Sequence, residues 1–249
     1  MKKIFFLIFS VFIFLSFKSS EGIEIKWDFS KYKKITYEYH QTAMMESNPV
    51  TKDSIEMLAN GTIELIVQNQ NTAKIRLNIT ELTSYDVDSL GNKTKEPEGF
   101  PPFSGDIMEI EENYMSKVQP QSENEILIKT LFPILNKSLE LNRKIEYPLY
   151  FYANGMGNRI QYGGTNFLEL KSKTENIRNL ELNYHLFEPV EKNQANDLEI
   201  SIKGNSNVEY DVENKYFLKG NATMLMKMGK EPDLLSMKHQ INYKLISVE

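Results

Sequence analysis

Cysteine is absent from all 249 residues. That excludes thiol catalysis, cysteine metal sites, a disulfide framework and the lipobox cysteine of a lipid-anchored bacterial lipoprotein. The fold must therefore rest on an ordinary apolar core, and the length suffices for one large domain or two small ones. Histidine is scarce, with only His40, His185 and His239. All three fall in strand-like stretches, where isolated surface or satisfied sheet positions are expected and a metal site is not. G-x-S-x-G, H-E-x-x-H and P-loop patterns are missing. "GMGN" at 155–158 lacks a third glycine and reads as a turn. "DVDSLGN" at 86–92 lacks the ligand spacing of a calcium loop and reads as a hairpin turn. The acid pairs Glu111-Glu112 and Glu123-Glu125 lie in charged stretches expected to be solvated. A non-enzymatic protein without a cofactor is expected.

Long hydrophobic runs are lacking but for one, Ile4 to Phe17, preceded by Lys2 and Lys3. Its 14 residues suit a signal-peptide core better than a membrane span, which needs about 20. Residues 1–20 are therefore expected to be a signal peptide cut between Ser19 and Gly22, with an uncleaved anchor as the alternative. The remainder would be exported, to a periplasmic or extracellular home, with no transmembrane span after cleavage. Positive charge is also short. The formal charge is −5, and it becomes −8 without Lys2, Lys3 and Lys18. That balance argues against nucleic acid and anionic membrane surfaces as partners.

What the chain does contain is alternation. Ile35, Tyr37 and Tyr39 share one face of a strand, as do Ile63, Leu65 and Val67, and Ile75, Leu77 and Ile79. The same holds for Leu180 to Leu186, for Leu198 to Ile202, for Val208 to Val212, and for Met237, His239, Ile241, Tyr243 and Leu245. Period two with polar residues between marks antiparallel strands buried on one face. Turn signals punctuate the pattern at Asn60-Gly61, Leu90-Gly91-Asn92, Asn154-Gly155, Gly163-Gly164, Gly204-Asn205 and Gly220. "QNQNT" at 68–72 and "YDVENKYF" at 210–217 read as hairpin connections, the second with Glu213-Asn214 at its tip.

One helix is expected in "SENEILIKTLFPIL" at 122–135. Ser122 and Glu125 have the spacing of a capping box, Ile126, Leu127, Thr130 and Leu131 follow at helical spacing, and Pro133 ends the run. Residues 86–121, rich in proline and glycine around "EPEGFPPFSGD", read as a long loop in which "IMEIEENYMSKV" could form a short helix. One domain, 21–249, is preferred to two, because neither half has strands enough to cover both of its faces.

"YFLKGNATMLMKMGK" at 216–230 places Met224, Met226 and Met228 at every second position, in line with Leu218 and Ala222 and opposite Lys219 and Lys227. Methionine is flexible and polarisable and recurs on adaptable binding surfaces. The stripe is an inward face, either plain core between sheet and helix or the wall of an apolar cavity. Tyr37, Tyr39, Ile241 and Tyr243 are the expected neighbours of such a wall, tyrosine suiting a cavity mouth.

The order of segments carries a resemblance. An apolar leader precedes Trp27 and Phe29, then Tyr37 and Tyr39; "LFPIL" and "LELNRKIEYPLYF" follow, and a meander closes with "VEYDVENKYFLKGNATMLMKM" and "INYKLI". This resembles uncharacterised secreted bacterial β-proteins and looks like the LolA-type lipoprotein-carrier architecture. The resemblance implies a curved antiparallel sheet, a half-barrel wrapping one or two helices on its concave face, with a concavity for a lipid-like ligand. The expectation is thus a mainly β protein binding a lipid or other hydrophobic small molecule. The alternative is a structural or protein-interaction module of the cell envelope with a solid core, docking a protein partner through a sheet edge or the 86–121 loop.

Overall fold

The computed structural model describes residues 22–46, 54–96, 101–111, 124–155, 158–190, 199–229 and 234–249. The leader at 1–20 and Ser122 lie outside the described residues. Fourteen strands and one helix are present among them. Strand β1 (Ile23–Ile25) pairs antiparallel with β7 (Leu135–Leu139) in a small ribbon. Ten of the remaining strands form one open antiparallel path. It runs β5 (Lys93–Lys95), β4 (Thr72–Val87), β3 (Ser54–Val67), β2 (Lys34–Glu46), β14 (Leu235–Val248), β13 (Tyr216–Met228), β12 (Ile200–Asp211), β11 (Ile177–Pro189), β10 (Asn158–Thr174) and β8 (Lys144–Glu146). Strand β6 (Phe103–Glu111) also pairs with β4, and β9 (Phe151–Gly155) with β10.

The N-terminal and C-terminal meanders are joined by the last strand, which pairs with β2 from Ser236↔Glu46 to Val248↔Ile35. A single continuous sheet results. Its inward face holds the residues the alternation singles out, with Ile35, Ile63, Ile75, Leu182 and Ile202 all almost wholly buried. The outward face is polar. In one cross-strand row Asn207, Asn221, Asn242, His40 and Asn60 stand side by side, because a solvated sheet face needs no apolar cover.

Both expected hairpins form. Gln68 to Asn71 link β3 and β4, with the Asn69 side chain accepting from the Asn71 and Thr72 amides at 2.8 and 3.0 Å. The Asp211 carboxylate accepts from the Glu213 and Asn214 amides, both at 2.9 Å, at the β12–β13 turn. The turn at 88–92 is likewise organised by Asp88, which accepts from the Leu90 and Asn92 amides, with Gly91 at φ +85°.

Several expected turns are instead strand interior. Gly61, Gly164, Gly204 and Gly220 sit inside long strands. Gly61 and Gly164 flank register shifts, where a Cβ would stand 1.9 Å from the Asn78 carbonyl oxygen and 1.8 Å from that of His185. Glycine marks a bulge there because neighbouring backbone occupies the space of a side chain. The 86–121 stretch, expected as a loop, carries β5 and β6, and "IMEIE" is strand, not helix, since Met108 and Ile110 alternate into the core against β4. Glu125, expected in solvent, is buried and ion-paired to Lys129.

Helix α1 (Glu125–Leu131) begins after Asn124 and stops before Pro133. It packs on β12 and β13. Together with the β1–β7 ribbon, whose Ile25, Leu135 and Leu139 join the same core, it forms a plug on the inward face. Phe132 is the hub of this plug. Its ring centroid lies 4.9 Å from Tyr243, 5.2 Å from Tyr37, 5.5 Å from Phe217 and 5.7 Å from Trp27. Each such aromatic pair adds about 0.5–1.5 kcal/mol beyond area burial. Phe217 reaches this cluster through a bulge. Tyr210 pairs with Phe217 while Glu209 pairs with Lys219, so Leu218 is the extra residue. The bulge corrects the expectation that Leu218 continues the methionine stripe, because one added residue exchanges the two faces of a strand.

Candidate functional site

Burial falls off along the strands away from Phe132. Beyond Tyr39 and Ile241, the inward positions of β2, β3, β13 and β14 become a wall of methionine. The register makes its rows explicit. Met226 pairs with Met237, which pairs with Met45, which pairs with Ile55. In the next row Met224 pairs with His239, His239 with Ala43, and Ala43 with Met57. Met228 opposes Ile200 and Leu235 at the end of the stripe. Six of the eleven methionines of the chain thus line one patch of four neighbouring strands. All six are half-buried, whereas the inward residues under the plug are almost fully buried.

Hollows flank the wall. One of about 440 Å³ is lined by Met45, Ile55, Asp86, Val87 and Asp88. Another of about 400 Å³, at the end of β11, β12 and β13, is lined by Tyr162 and Ile200 together with the outward-facing Phe187, Ser201 and Lys227. A further hollow of about 600 Å³ is lined by Phe167, His185, Lys203, Leu225 and Lys238. Those side chains alternate with the inward ones, which places it on the solvated face.

The wall has one polar node. The Tyr39 hydroxyl donates to Gln41 Oε1, and Gln41 Nε2 lies 2.7 Å from His239 Nδ1. Burial holds the His239 imidazole below its ordinary pKa, so the neutral ring is favoured. Burial likewise pushes the Tyr39 phenol well up.

The seven residues singled out in the sequence divide into two groups. Tyr37, Ile241 and Tyr243 are packed in the core, with the Tyr243 hydroxyl donating to the Leu131 carbonyl oxygen at 2.7 Å. Burial drives both phenols far above the usual tyrosine range. Met224, Met226 and Met228 lie half-buried beyond them, and Tyr39 stands between the groups, buried but bonded to the polar node. Sequence reasoning missed Met45, Met57, Met237, Gln41 and His239 as members of the wall. The parity was legible, since Met45 is in phase with Tyr37 and Met57 with Ile63, but the β14–β2 pairing that assembles them was not.

His40 and His185 stand on the outer face. His40 Nδ1 is 2.8 Å from Asn60 Oδ1, and His185 Nε2 is 3.1 Å from Ser201 Oγ. Among the described residues no group of three or more histidines, aspartates and glutamates is placed to hold a metal ion. None of their helices is long and apolar enough to cross a membrane.

No family model matches the sequence, and no curated protein does. Solved structures do match. One, described as "lipid-protein interactions in lipovitellin", aligns over 92% of this chain and 26% of its own, at 12% identity and a TM-score of 0.47. The present chain spans about a quarter of that protein's length.

Proposed function

We propose that this chain is an exported, non-enzymatic protein that holds a hydrophobic, lipid-like ligand against the methionine wall of its sheet. The observation that carries the reading is the gathering of Met45, Met57, Met224, Met226, Met228 and Met237 on adjoining strands, half-buried at the margin of the core. Unbranched thioether side chains adapt to an acyl chain without a fixed shape. The hollow beside Met45 and Ile55 leaves room at one end of the wall, bordered by Asp86 and Asp88. The apolar segment Ile4 to Phe17 supports export, and the segment order that resembles LolA-type carriers fits the same reading.

The test is native mass spectrometry of the purified chain followed by organic extraction. A reproducible co-purifying lipid, or uptake of added fatty acyl lipid, is expected. Met226→Lys should abolish that uptake while leaving the circular dichroism spectrum intact. A clean mass at the sequence value, with no uptake, would make the wall plain core and favour a protein-docking role.

A further inference from the structure

The polar node in the wall has a defined hydrogen-bond direction. Tyr39 donates to Gln41 Oε1, which turns the Gln41 amide NH2 toward His239 Nδ1 at 2.7 Å. With the Gln41 amide oriented in this way Nδ1 is the acceptor, which assigns the proton to Nε2. Nε2 lies on the other side of the ring from Gln41. No described residue accepts from it. His239 itself sits in the methionine row, between Met224 on β13 and Ala43 on β2. The wall therefore presents the His239 N–H, with the second N–H of Gln41 beside it, in an otherwise apolar surface.

The charge around that donor narrows the acceptor. The inward positions of β2, β3, β13 and β14 from Gln41 to Met45, Ile55 to Ala59, Ala222 to Met228 and Leu235 to Ile241 hold no lysine, arginine, aspartate or glutamate. The nearest inward charge in the register is Asp86, opposite Ile55 on β4. A carboxylate or phosphate buried here would have no counter-charge and would face an acid, which is costly in an apolar site. An uncharged carbonyl needs only the donor.

We propose that His239 Nε2–H is the headgroup contact of the wall, and that the ligand class is an uncharged acyl ester such as a monoacylglycerol rather than a free fatty acid. This rests on the reading that the wall holds an acyl chain. Gln41 and Tyr39 are positioning residues that fix the tautomer. A hydrocarbon chain laid over the ring leaves Nε2–H without an acceptor, whereas an ester carbonyl supplies one, so the headgroup is recognised by the hydrogen bond that a bare chain cannot make.

The experiment is displacement of a neutral apolar fluorophore from the full chain by three probes with the same chain length: 1-monooleoylglycerol, oleate and 1-octadecene. The monoacylglycerol should bind about tenfold more tightly than either other probe, the usual measure of one hydrogen bond. His239→Phe should bind 1-octadecene unchanged and lose the preference for the ester. Equal binding of all three probes, tighter binding of oleate, or a preference that survives in His239→Phe would overturn the headgroup assignment alone. Failure of all three to bind would overturn the wall reading beneath it. Should His239→Phe not fold, long-range 1H–15N NMR of the unsubstituted protein decides. A protonated Nε2 whose shift moves on adding 1-monooleoylglycerol supports the assignment, and an Nδ1–H tautomer or an unmoved Nε2 overturns it.

Discussion

The Tyr243 ring lies against Gly220 of the neighbouring strand, so close that a Cβ on that glycine would come within 2.6 Å of it. Tyr184 stands in the same relation to Gly204, at 2.3 Å. Both hydroxyls reach α1. Tyr243 donates to the Leu131 carbonyl oxygen, and Tyr184 accepts from Thr130 Oγ1 at 3.3 Å. Two glycines thus make room for two tyrosines, and the tyrosines seat the helix of the plug.

Alanine at either glycine should therefore destabilise the protein. Glycine in a strand interior is ordinarily worse than alanine by roughly 0.5–1 kcal/mol. Here the added methyl meets a ring held in place by a hydrogen bond, and overpacking costs about 1–3 kcal/mol. Urea unfolding of Gly220→Ala and Gly204→Ala should show lowered midpoints. A raised midpoint in either would mean the ring moves aside freely.

Tyr243→Phe removes the donor and keeps the ring. The buried Leu131 carbonyl loses that partner at the C-terminal end of α1, at a cost of about 1–3 kcal/mol. Amide hydrogen exchange should quicken in α1 and at Phe132 before it changes in the central strands. Uniform quickening across the sheet would contradict a seating role.

Glu125 and Lys129 form an ion pair one turn apart on α1, with both side chains almost fully buried. Lys129 Nζ also donates to the Pro148 carbonyl oxygen at 3.2 Å. Lys129→Met would strand the Glu125 charge in the plug, and breaking a buried pair in this way costs roughly 3–5 kcal/mol. The double variant Glu125→Leu/Lys129→Met should recover most of that loss, because the pair's attraction is set against its own desolvation. Additive losses in a double-mutant cycle would show the two residues act independently.

The His239 environment links stability to pH. Its folded-state pKa lies below the ordinary value of a histidine because burial disfavours the charged ring. The unfolded chain then binds the proton more readily. The contribution is complete above about pH 6.5 and is lost as the pH falls from there through the folded-state pKa. His40 acts in the opposite sense, its pKa raised by Asn60 and Glu38, so the comparison must be made against a variant. Between pH 7 and 5 the urea midpoint of the unsubstituted protein should fall more than that of His239→Phe. Parallel curves would remove His239 from the account.

Much of this fold is legible in period two. Tyr37, Ile63, Ile75, Leu182 and Phe217's partner Tyr210 are inward because polar residues alternate with them, and the structure buries each one. The hairpins at 68–71 and 211–216 follow from local amide and carboxylate chemistry, which acts over a few residues. The glycines misled because a glycine required by a bulge or by a crossing tyrosine looks, in one chain, like a glycine required by a turn. Leu218 misled because a bulge needs no distinctive residue, yet it exchanged the face offered by β13 and put Phe217 in the core.

The sequence by itself determined the inward set and the methionine stripe, since side-chain direction along a strand is a property of the backbone repeat. It could not determine that the last strand pairs with β2. That contact joins residues some 200 positions apart, Gln41 and His239 being separated by 198, and its register rests on packing across the whole inward face. Only that pairing brings Met45 beside Met237, aims Gln41 at His239, and turns scattered methionines into one wall with a polar node in it.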